Sequence, residues 1–153
     1  MLQRICLFPG TFDPITKGHV DVIRRSVALF DKLVIGVGIN SNKAPMFTPE
    51  QRVAWIQEIF KDEPAIEVSS YEGLTINFCK EVHARFILRG IRYVSDFEYE
   101  KAIADMNRML APELETVFLT CTPEFSTISS TLVRDVIRNG GNVHLFIPPE
   151  VKW

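Results

Sequence analysis

A short stretch near the N-terminus combines a glycine turn with side chains that suit an anion. After the apolar run Ile5 to Phe8, the chain reads PGTFDPITKGH from Pro9 to His19 and then enters a helical pattern. Such a turn aims backbone N–H groups at an anion, and the dipole of the following helix favours negative charge there. Lys17 and His19 stand in the first helical turn, an unusual place for cations. The pattern alone also fits an ordinary turn capped by Thr16, with a surface histidine.

Two later segments carry further donors for phosphate oxygens. Arg89 and Arg92 flank Gly90 and Ile91 directly after an apolar run, and guanidinium groups form paired hydrogen bonds with such oxygens. The second segment, Phe125 to Thr131, holds five hydroxyl residues within six positions, although one serine suffices to cap a helix. Its members are Phe125, Ser126, Thr127, Ile128, Ser129, Ser130 and Thr131. Three separate segments therefore offer anion-binding groups.

Two single residues are ambiguous when considered alone. Lys43 follows Asn40 in a polar loop, where it either reaches into a cleft or is a solvated surface lysine. Glu100 lies in a helical stretch that begins near Ser95, and by itself its position fits a solvated helix surface. Neither residue identifies a site without the segments around it.

Alternating apolar runs and amphipathic stretches must position these residues. Five short runs read as strands: Ile5 to Phe8, Leu33 to Ile39, Ile66 to Ser69, Arg85 to Leu88, and Thr116 to Cys121. Several are apolar throughout, which is typical of parallel strands covered on both faces. Between them, apolar residues recur every three or four positions at Val20, Ile23, Val27 and Phe30, at Val53, Ile56 and Ile59 or Phe60, and at Ile103, Met106 and Leu110. The order predicts an α/β fold, a Rossmann-like, doubly wound, five-stranded parallel sheet, in a single domain over residues 1–153.

Helix boundaries are also marked by residue type. Thr48-Pro49-Glu50-Gln51 and Ser95-Asp96-Phe97-Glu98 predict capping boxes, the first with proline at the first helical position. Asn139-Gly140-Gly141 predicts the end of the last helix. In a doubly wound sheet, ligands bind beyond the C-terminal ends of the strands, so the segments that follow the strands should converge there.

Composition excludes several classes of protein. The 153 residues carry a formal net charge of −2, which argues against non-specific nucleic-acid binding. The three cysteines are widely spaced, and no Cys/His cluster suggests a zinc site, so no metal held by the protein is predicted. No apolar stretch approaches the length of a membrane span or a signal peptide, so we expect a cytoplasmic protein with no membrane partner.

Taken together, the segments resemble the nucleotidyltransferase superfamily. Its HxGH-type turn corresponds here to Thr16-Lys17-Gly18-His19, with threonine in place of the first histidine, and its late motif ISSTxxR corresponds to Ile128 through Arg134. Within that superfamily, the motifs PGTFDPxTxGH, RGIRxxxDFEYE and MNRxLxPELETVFL look like the bacterial phosphopantetheine adenylyltransferase family. That family commonly carries threonine at the departing position, and the match extends over almost the whole chain.

The resemblance implies a role for each matched residue. His19 and Thr11 would contact the reacting phosphates, and Phe12 would lie beside the nucleotide. ATP would also be held by Gly90, Ile91, Arg92, Glu100 and the Phe125 to Thr131 segment, and phosphopantetheine by Thr11, Lys43, Thr75 and Arg89. His19 and Lys43 would be the catalytic residues.

The implied reaction transfers AMP from ATP to the 4′-phosphate of phosphopantetheine, giving dephospho-CoA and pyrophosphate in coenzyme A biosynthesis. The attacking group is already an anion, so neither a general base nor a covalent intermediate is needed. Mg²⁺ would accompany the ATP phosphates, with few protein ligands. The resemblance further implies a homo-oligomer, a hexamer in the family, and possible feedback inhibition by CoA.

Three other interpretations remain open at this stage. The acceptor could be nicotinate or nicotinamide mononucleotide, which are phosphomonoesters too. The chain could be a nucleotide-binding regulatory module without turnover, although the joint presence of His19, Lys43, Arg92 and the Ser129-Ser130 pair speaks against it. A fragment of a class I aminoacyl-tRNA synthetase shares the HxGH-type turn, but the acidic net charge and the absence of a KMSKS-type lysine motif disfavour it.

Overall fold

Five parallel strands form one sheet with the order β3-β2-β1-β4-β5, in a computed structural model that describes residues 2–153. The strands are β1 Ile5–Gly10, β2 Lys32–Ile39, β3 Ile66–Glu72, β4 Phe86–Ile91 and β5 Glu115–Thr120. All five predicted strands are confirmed; β1, β3 and β4 continue two or three residues past their predicted ends, whereas Arg85 and Cys121 lie just outside β4 and β5. The predicted doubly wound α/β fold is therefore confirmed.

A helix follows every strand. The helices are α1 Lys17–Ser26, α2 Pro49–Ile59, α3 Thr75–Glu81, α4 Val94–Leu110 and α5 Ser130–Arg138, with single 3-10 turns at Val27–Leu29 and Pro123–Phe125. Among residues 2–153, no helix combines the length and the apolar sequence that crossing a bilayer requires.

The alternation of side chains along each strand divides the core into two clusters. On β1, Cys6 and Phe8 pack into a cluster that contains Val20 of α1, Ile56 of α2 and Val133 of α5. Leu7 points to the opposite face, where it packs with residues of α3 and the residues that follow α4. Because both faces are covered, the strands carry apolar residues at successive positions, as the sequence indicated.

The two predicted capping boxes have different outcomes. Thr48 caps α2 as expected, since its hydroxyl accepts from the N–H of Gln51 while the Gln51 side chain accepts from the N–H of Thr48. The predicted cap at Ser95 is wrong, because α4 begins at Val94 and its N-cap residue is Tyr93, two residues before Ser95. The carboxylate of Asp96 accepts from the backbone N–H groups of Arg92 and Tyr93 and so satisfies the donors at this helix start.

The apolar stripe predicted on α4 is only partly buried. Ile103 is half-buried, but Met106 and Leu110 are 63% and 61% exposed. Val94 and Met109 on the same helix are exposed as well. The periodicity correctly indicated a helix, but most of its apolar face is not covered within this chain.

The sheet opens between β1 and β4, where the strand order reverses. Only Cys6 and Leu7 of β1 pair with β4, at Phe86 and Ile87, although both strands continue beyond these residues. On its other side, β1 pairs with β2 along its whole length, up to Gly10. The C-terminal ends of β1 and β4 therefore separate and leave a crevice at the position that binds ligands in doubly wound sheets.

Candidate active site

Two cavities meet in this crevice. The larger has a volume of about 1240 Å³ and extends from the end of β1 to α5, and the smaller, of about 630 Å³, extends towards α3 and α4. Thr11, Arg89 and Glu100 line both cavities, as do the ends of β1 and β2. We refer to them below as the larger cavity and the smaller cavity.

Most of the predicted site residues line these cavities. The larger cavity is lined by Thr11, Phe12, His19, Lys43, Arg89, Gly90, Arg92, Glu100, Ile128, Ser129, Ser130 and Thr131. Thr75 lines the smaller cavity. Four predicted ATP residues do not line either one, namely Ile91, Phe125, Ser126 and Thr127. The structure thus brings together residues that lie more than 100 positions apart in the sequence.

The helix start at Thr16 fixes the tautomer of His19. The backbone N–H of Thr16 donates to Nδ1 of His19 over 3.0 Å, and the His19 N–H donates to Oγ1 of Thr16 over 3.4 Å. Because a backbone N–H can only donate, Nδ1 is an unprotonated acceptor, and in the neutral ring the proton resides on Nε2. His19 therefore offers an N–H donor while Thr16 holds the opposite side of its ring.

The surroundings of His19 keep its ring neutral. Burial, together with the positive charges of Arg89 and Arg92, lowers the pKa of His19 to about 4. The ring also meets Phe12 edge to face, with centroids 5.1 Å apart. Phe12 is buried and adopts a left-handed backbone conformation with φ of 49°, which is uncommon outside glycine and frequent at functional sites. This turn accordingly gives His19 a fixed orientation.

Arg89 and Glu100 form a bidentate ion pair where the two cavities meet. Nε and Nη2 of Arg89 each donate to a carboxylate oxygen of Glu100 over 2.7 Å, and Nη1 donates to the carbonyl of Pro9 over the same distance. Glu100 is only 8% exposed, so a solvated helix surface is the wrong interpretation of this residue. Both of its oxygens are engaged by Arg89, and its role in ATP binding stays a prediction.

The hydroxyl-rich segment is used largely to build the N-terminus of α5. Ser129 caps the helix by accepting from the N–H of Leu132, and Ser130 donates to the carbonyl of Pro14 in the β1–α1 turn. The N–H groups of Ser130 and Thr131 make no hydrogen bond with residues 2–153. Free N–H groups at a helix start bind anions, so this end of the larger cavity is suited to phosphate.

Two predicted acceptor residues have contrasting environments. Lys43 is exposed on the loop after β2, and its ammonium group makes no hydrogen bond or ion pair with residues 2–153. The hydroxyl of Thr75 lies 2.9 Å from that of Tyr71, which stacks on Phe78. Lys43 is thus available to a ligand, whereas Thr75 is part of the wall of the smaller cavity.

The two cavities differ in charge. Six cationic residues line the larger cavity, namely Lys43, Arg52, Arg89, Arg92, Arg134 and Arg138, against three carboxylates, Asp13, Asp96 and Glu100. Each of these carboxylates already accepts hydrogen bonds from N–H groups of the protein. Within residues 2–153, no group of three or more His, Cys, Asp or Glu residues is placed to hold a metal ion. The larger cavity is therefore suited to a polyanion.

Five charged residues that line the larger cavity were not among the predicted site residues, namely Asp13, Arg52, Asp96, Arg134 and Arg138. Asp13 accepts from the N–H groups of Met46 and Phe47, and Arg134 donates to the Asp13 carbonyl. Arg52 is buried and lines the larger cavity. Arg134 belongs to the ISSTxxR motif, and Arg52 stands one turn before Ile56 on the buried face of α2, a position where a charge is unusual. The motif that contains Arg134, and the spacing of Arg52 from Ile56, were the signals in the sequence that could have identified these two residues.

Comparison with known proteins places the chain in a family. A family model described as Cytidylyltransferase-like matches residues 7–136. A phosphopantetheine adenylyltransferase of Flavobacterium psychrophilum is 53% identical over 150 residues, which cover 98% of this chain and 99% of that one. The chain belongs to the phosphopantetheine adenylyltransferase family. A second member, from Bacteroides fragilis, is 50% identical over 95% of this chain and 97% of its own length.

The fold also matches a more distant solved structure. A protein described as a nicotinate-nucleotide adenylyltransferase from Vibrio parahaemolyticus superposes with a TM-score of 0.73 over 98% of this chain and 90% of that one. Its sequence identity is 18%, so the likeness shows the shared fold alone. Membership in the family, by contrast, rests on relatives that match nearly the whole chain.

Proposed function

We propose that this chain transfers AMP from ATP to the 4′-phosphate of phosphopantetheine, giving dephospho-CoA and pyrophosphate. The observation that carries the proposal is the junction of a cationic cavity with a smaller one at Thr11 and Arg89. A reaction between two phosphates needs two such binding regions that share a wall. The family of the chain's relatives supports the same reaction.

ATP occupies the larger cavity in this proposal. Its triphosphate lies against the free N–H groups at the start of α5 and near Arg92, whose Nη1 donates to the carbonyl of Ile128. The excess of cations stabilises the triphosphate, and the helix dipole adds to this effect. Mg²⁺ enters as part of the substrate, bound to phosphate oxygens and water, because every carboxylate of this cavity is already engaged.

Phosphopantetheine places its phosphate where the cavities join and its uncharged arm in the smaller cavity. Thr11 and Arg89 line the junction, and Lys43 is an exposed residue that lines the larger cavity. Tyr71, Thr75 and Asn107 offer polar groups along the smaller cavity, and Ile87 and Ile103 offer apolar ones. This mixture suits a chain of amides and methylene groups.

The chemical step is an in-line displacement at the α-phosphorus. An oxygen of the acceptor phosphate forms the new bond to this phosphorus while the bond to the oxygen that bridges to the β-phosphate breaks, and pyrophosphate leaves with that electron pair. His19 donates its Nε2 proton as a hydrogen bond to the α-phosphate oxygens as their charge grows. Lys43 and Thr11 orient the acceptor phosphate. No proton is removed from the nucleophile.

An acceptor-dependent assay of pyrophosphate release tests the proposal. The chain, with MgATP, should release pyrophosphate with phosphopantetheine and form dephospho-CoA in equal amount. Nicotinate mononucleotide and nicotinamide mononucleotide serve as matched phosphomonoester acceptors. Equal or faster turnover with either mononucleotide would reject the assigned acceptor, and an absence of turnover with all three would favour the regulatory module.

A homo-oligomer, a hexamer as in the family, is part of the same proposal. Val94, Met106, Met109 and Leu110 leave an apolar face of α4 exposed, and a second copy of the chain would cover it. Light scattering of the purified chain should give six times the mass of 17.5 kDa. A monomeric mass would contradict this assembly.

Inhibition by CoA and a cytoplasmic location complete the proposal. CoA carries both an adenine nucleotide and a pantetheine arm, so it can occupy the two cavities together. We expect CoA to be a competitive inhibitor with respect to both ATP and phosphopantetheine in steady-state kinetics. Inhibition that is competitive with neither substrate would contradict binding of CoA in the two cavities. The three cysteines are free thiols, which fits the reducing cytoplasm.

A further inference from the structure

A buried arginine forms hydrogen bonds with both ends of the loop that carries Lys43. Arg52 is 2% exposed, and its Nη1 donates to the carbonyls of Thr11 over 2.7 Å and Gly38 over 3.3 Å. Its Nε donates to the carbonyl of Phe47 over 3.2 Å. Gly38 lies near the end of β2 before the loop, and Phe47 is the first buried residue after it. One side chain therefore joins the end of β1 to both anchors of the loop.

Asp13 also holds the C-terminal end of this loop, by hydrogen bonds to backbone N–H groups. Its two carboxylate oxygens accept from the N–H groups of Met46, over 2.8 Å, and Phe47, over 2.9 Å. The N–H of Phe47 is thus held by Asp13 and its carbonyl by Arg52. The Phe47 ring also packs on Trp55, with centroids 4.9 Å apart. The position of Phe47 is fixed by two buried charged groups as well as by packing.

The loop between these anchors has little support of its own. Residues 40–45 are all exposed. The hydrogen bonds within this run are those that Asn40 accepts from the backbone N–H groups of Asn42 and Lys43. Lys43 lies in the middle of this exposed run, so its distance from Thr11 depends on where the two anchors are held. A charged residue is costly to bury, and apolar packing could have served if only stability were required.

We propose that Arg52 and Asp13 are positioning residues that place Lys43 opposite Thr11 for the acceptor phosphate. The inference rests on the proposed function, in which Lys43 orients that phosphate. Although Arg52 lines the larger cavity, its Nε and Nη1 donate to backbone carbonyls, so in this account it acts through the chain and not by contact with a reactant. It acts by donating from one planar guanidinium group to the carbonyls of Thr11, Gly38 and Phe47, an arrangement of donors that a lysine cannot reproduce.

A double-mutant cycle in the full chain tests the positioning role. Arg52→Gln and Lys43→Ala should each lower kcat/KM for phosphopantetheine by about 100-fold, the size of effect that a displaced orienting group produces. If Arg52 acts through Lys43, the double variant should fall within a few-fold of Lys43→Ala alone. Independent roles would instead multiply to about 10,000-fold and would overturn the proposal.

Two further variants separate positioning from charge and from general destabilisation. Arg52→Lys keeps a cation but loses the fork, so it should lose nearly as much as Arg52→Gln, and full activity would overturn the proposal. Ile56→Val removes a methyl group from the buried face of the same helix and should leave kcat/KM unchanged. A loss for Ile56→Val that matches Arg52→Gln would also overturn it.

The cycle remains decisive if Arg52→Gln fails to fold. Asp13→Asn replaces one acceptor with a donor that faces the N–H of Met46 or Phe47, and its effect should likewise disappear in the Lys43→Ala background. Normal kcat/KM for Lys43→Ala alone would overturn both the role of Lys43 and the positioning role. Multiplicative losses would overturn the positioning role and leave the proposed reaction intact.

Discussion

The two cavities share a wall but differ in the chemistry that they favour. The larger is lined by six cations and by free N–H groups at a helix start, whereas the smaller mixes apolar and uncharged polar side chains with two carboxylates, Glu72 and Glu100, and one cation, Arg89. A polyanion is therefore stabilised in one and repelled from much of the other. The difference teaches that one crevice can distinguish two phosphate-bearing substrates, because one cavity favours a triphosphate and the other favours an uncharged arm attached to a single phosphate.

His19 provides the test with the largest expected effect, since in the proposed mechanism it acts only on the reacting phosphate. We expect His19→Ala and His19→Gln to lower kcat by about 100- to 1000-fold, as removal of one donor to a developing charge does. Binding of both substrates should change little. Glutamine suits the third position of a capping box, so His19→Gln keeps a capped helix start while it removes the imidazole. A near-normal kcat would contradict the role of His19.

Filling the smaller cavity should affect only the acceptor. Ala104 lines this cavity from α4, and Ala104→Phe should raise the KM for phosphopantetheine by about 10-fold or more, because the added ring occupies space that the arm needs. The KM for ATP should stay within a few-fold. Ala102→Phe, on the exposed side of the same helix, is the matched control. A rise in the ATP KM for Ala104→Phe would show that the cavities are assigned wrongly.

The pH dependence of stability tests whether the larger cavity holds a neutral histidine. The pKa of His19 is lowered to about 4 in the folded chain, while the unfolded chain has the ordinary value of about 6.5. The unfolded state therefore binds more protons between these values, and the free energy of unfolding should fall by about 1–3 kcal/mol as pH drops from 7 to 4.5. Urea unfolding should show a smaller drop for His19→Gln. Equal slopes would contradict the lowered pKa.

Arg138 should show the smallest effect. It is exposed at the end of α5, lines the larger cavity, and has no ion-pair partner within residues 2–153. Arg138→Gln should raise the KM for ATP by about two- to five-fold at low salt, and less at high salt, because exposed charges are screened. The KM for phosphopantetheine should not change. A larger effect on the acceptor than on ATP would reverse the charge comparison.

Much of the fold and of the larger cavity could be predicted from local sequence. Apolar runs set the five strands, and the topology then brings the Pro9–His19 turn, Arg89–Arg92 and the start of α5 to one edge. These features depend on short-range sequence patterns and on the rule that ligands bind beyond the C-terminal ends of the strands in a doubly wound sheet. The family resemblance supplied the specific roles.

What could not be predicted depends on contacts between distant side chains. Nothing local indicates that Glu100 pairs with Arg89, or that Arg52 reaches three carbonyls on different segments. At the start of α4 the side-chain acceptor is Asp96, at the third helical position, and not the predicted Ser95, because either residue type can accept from backbone N–H groups there. Periodicity on α4 likewise indicates an apolar face but does not say whether this chain or a second copy covers it.

Initial-rate kinetics with both substrates varied test the central claim most directly. If ATP and phosphopantetheine occupy adjoining cavities and react with each other, the double-reciprocal lines should intersect, since a ternary complex must form before pyrophosphate leaves. Parallel lines would indicate that pyrophosphate leaves before the acceptor binds. That result would require an AMP-enzyme intermediate and would contradict the direct transfer proposed for this cleft.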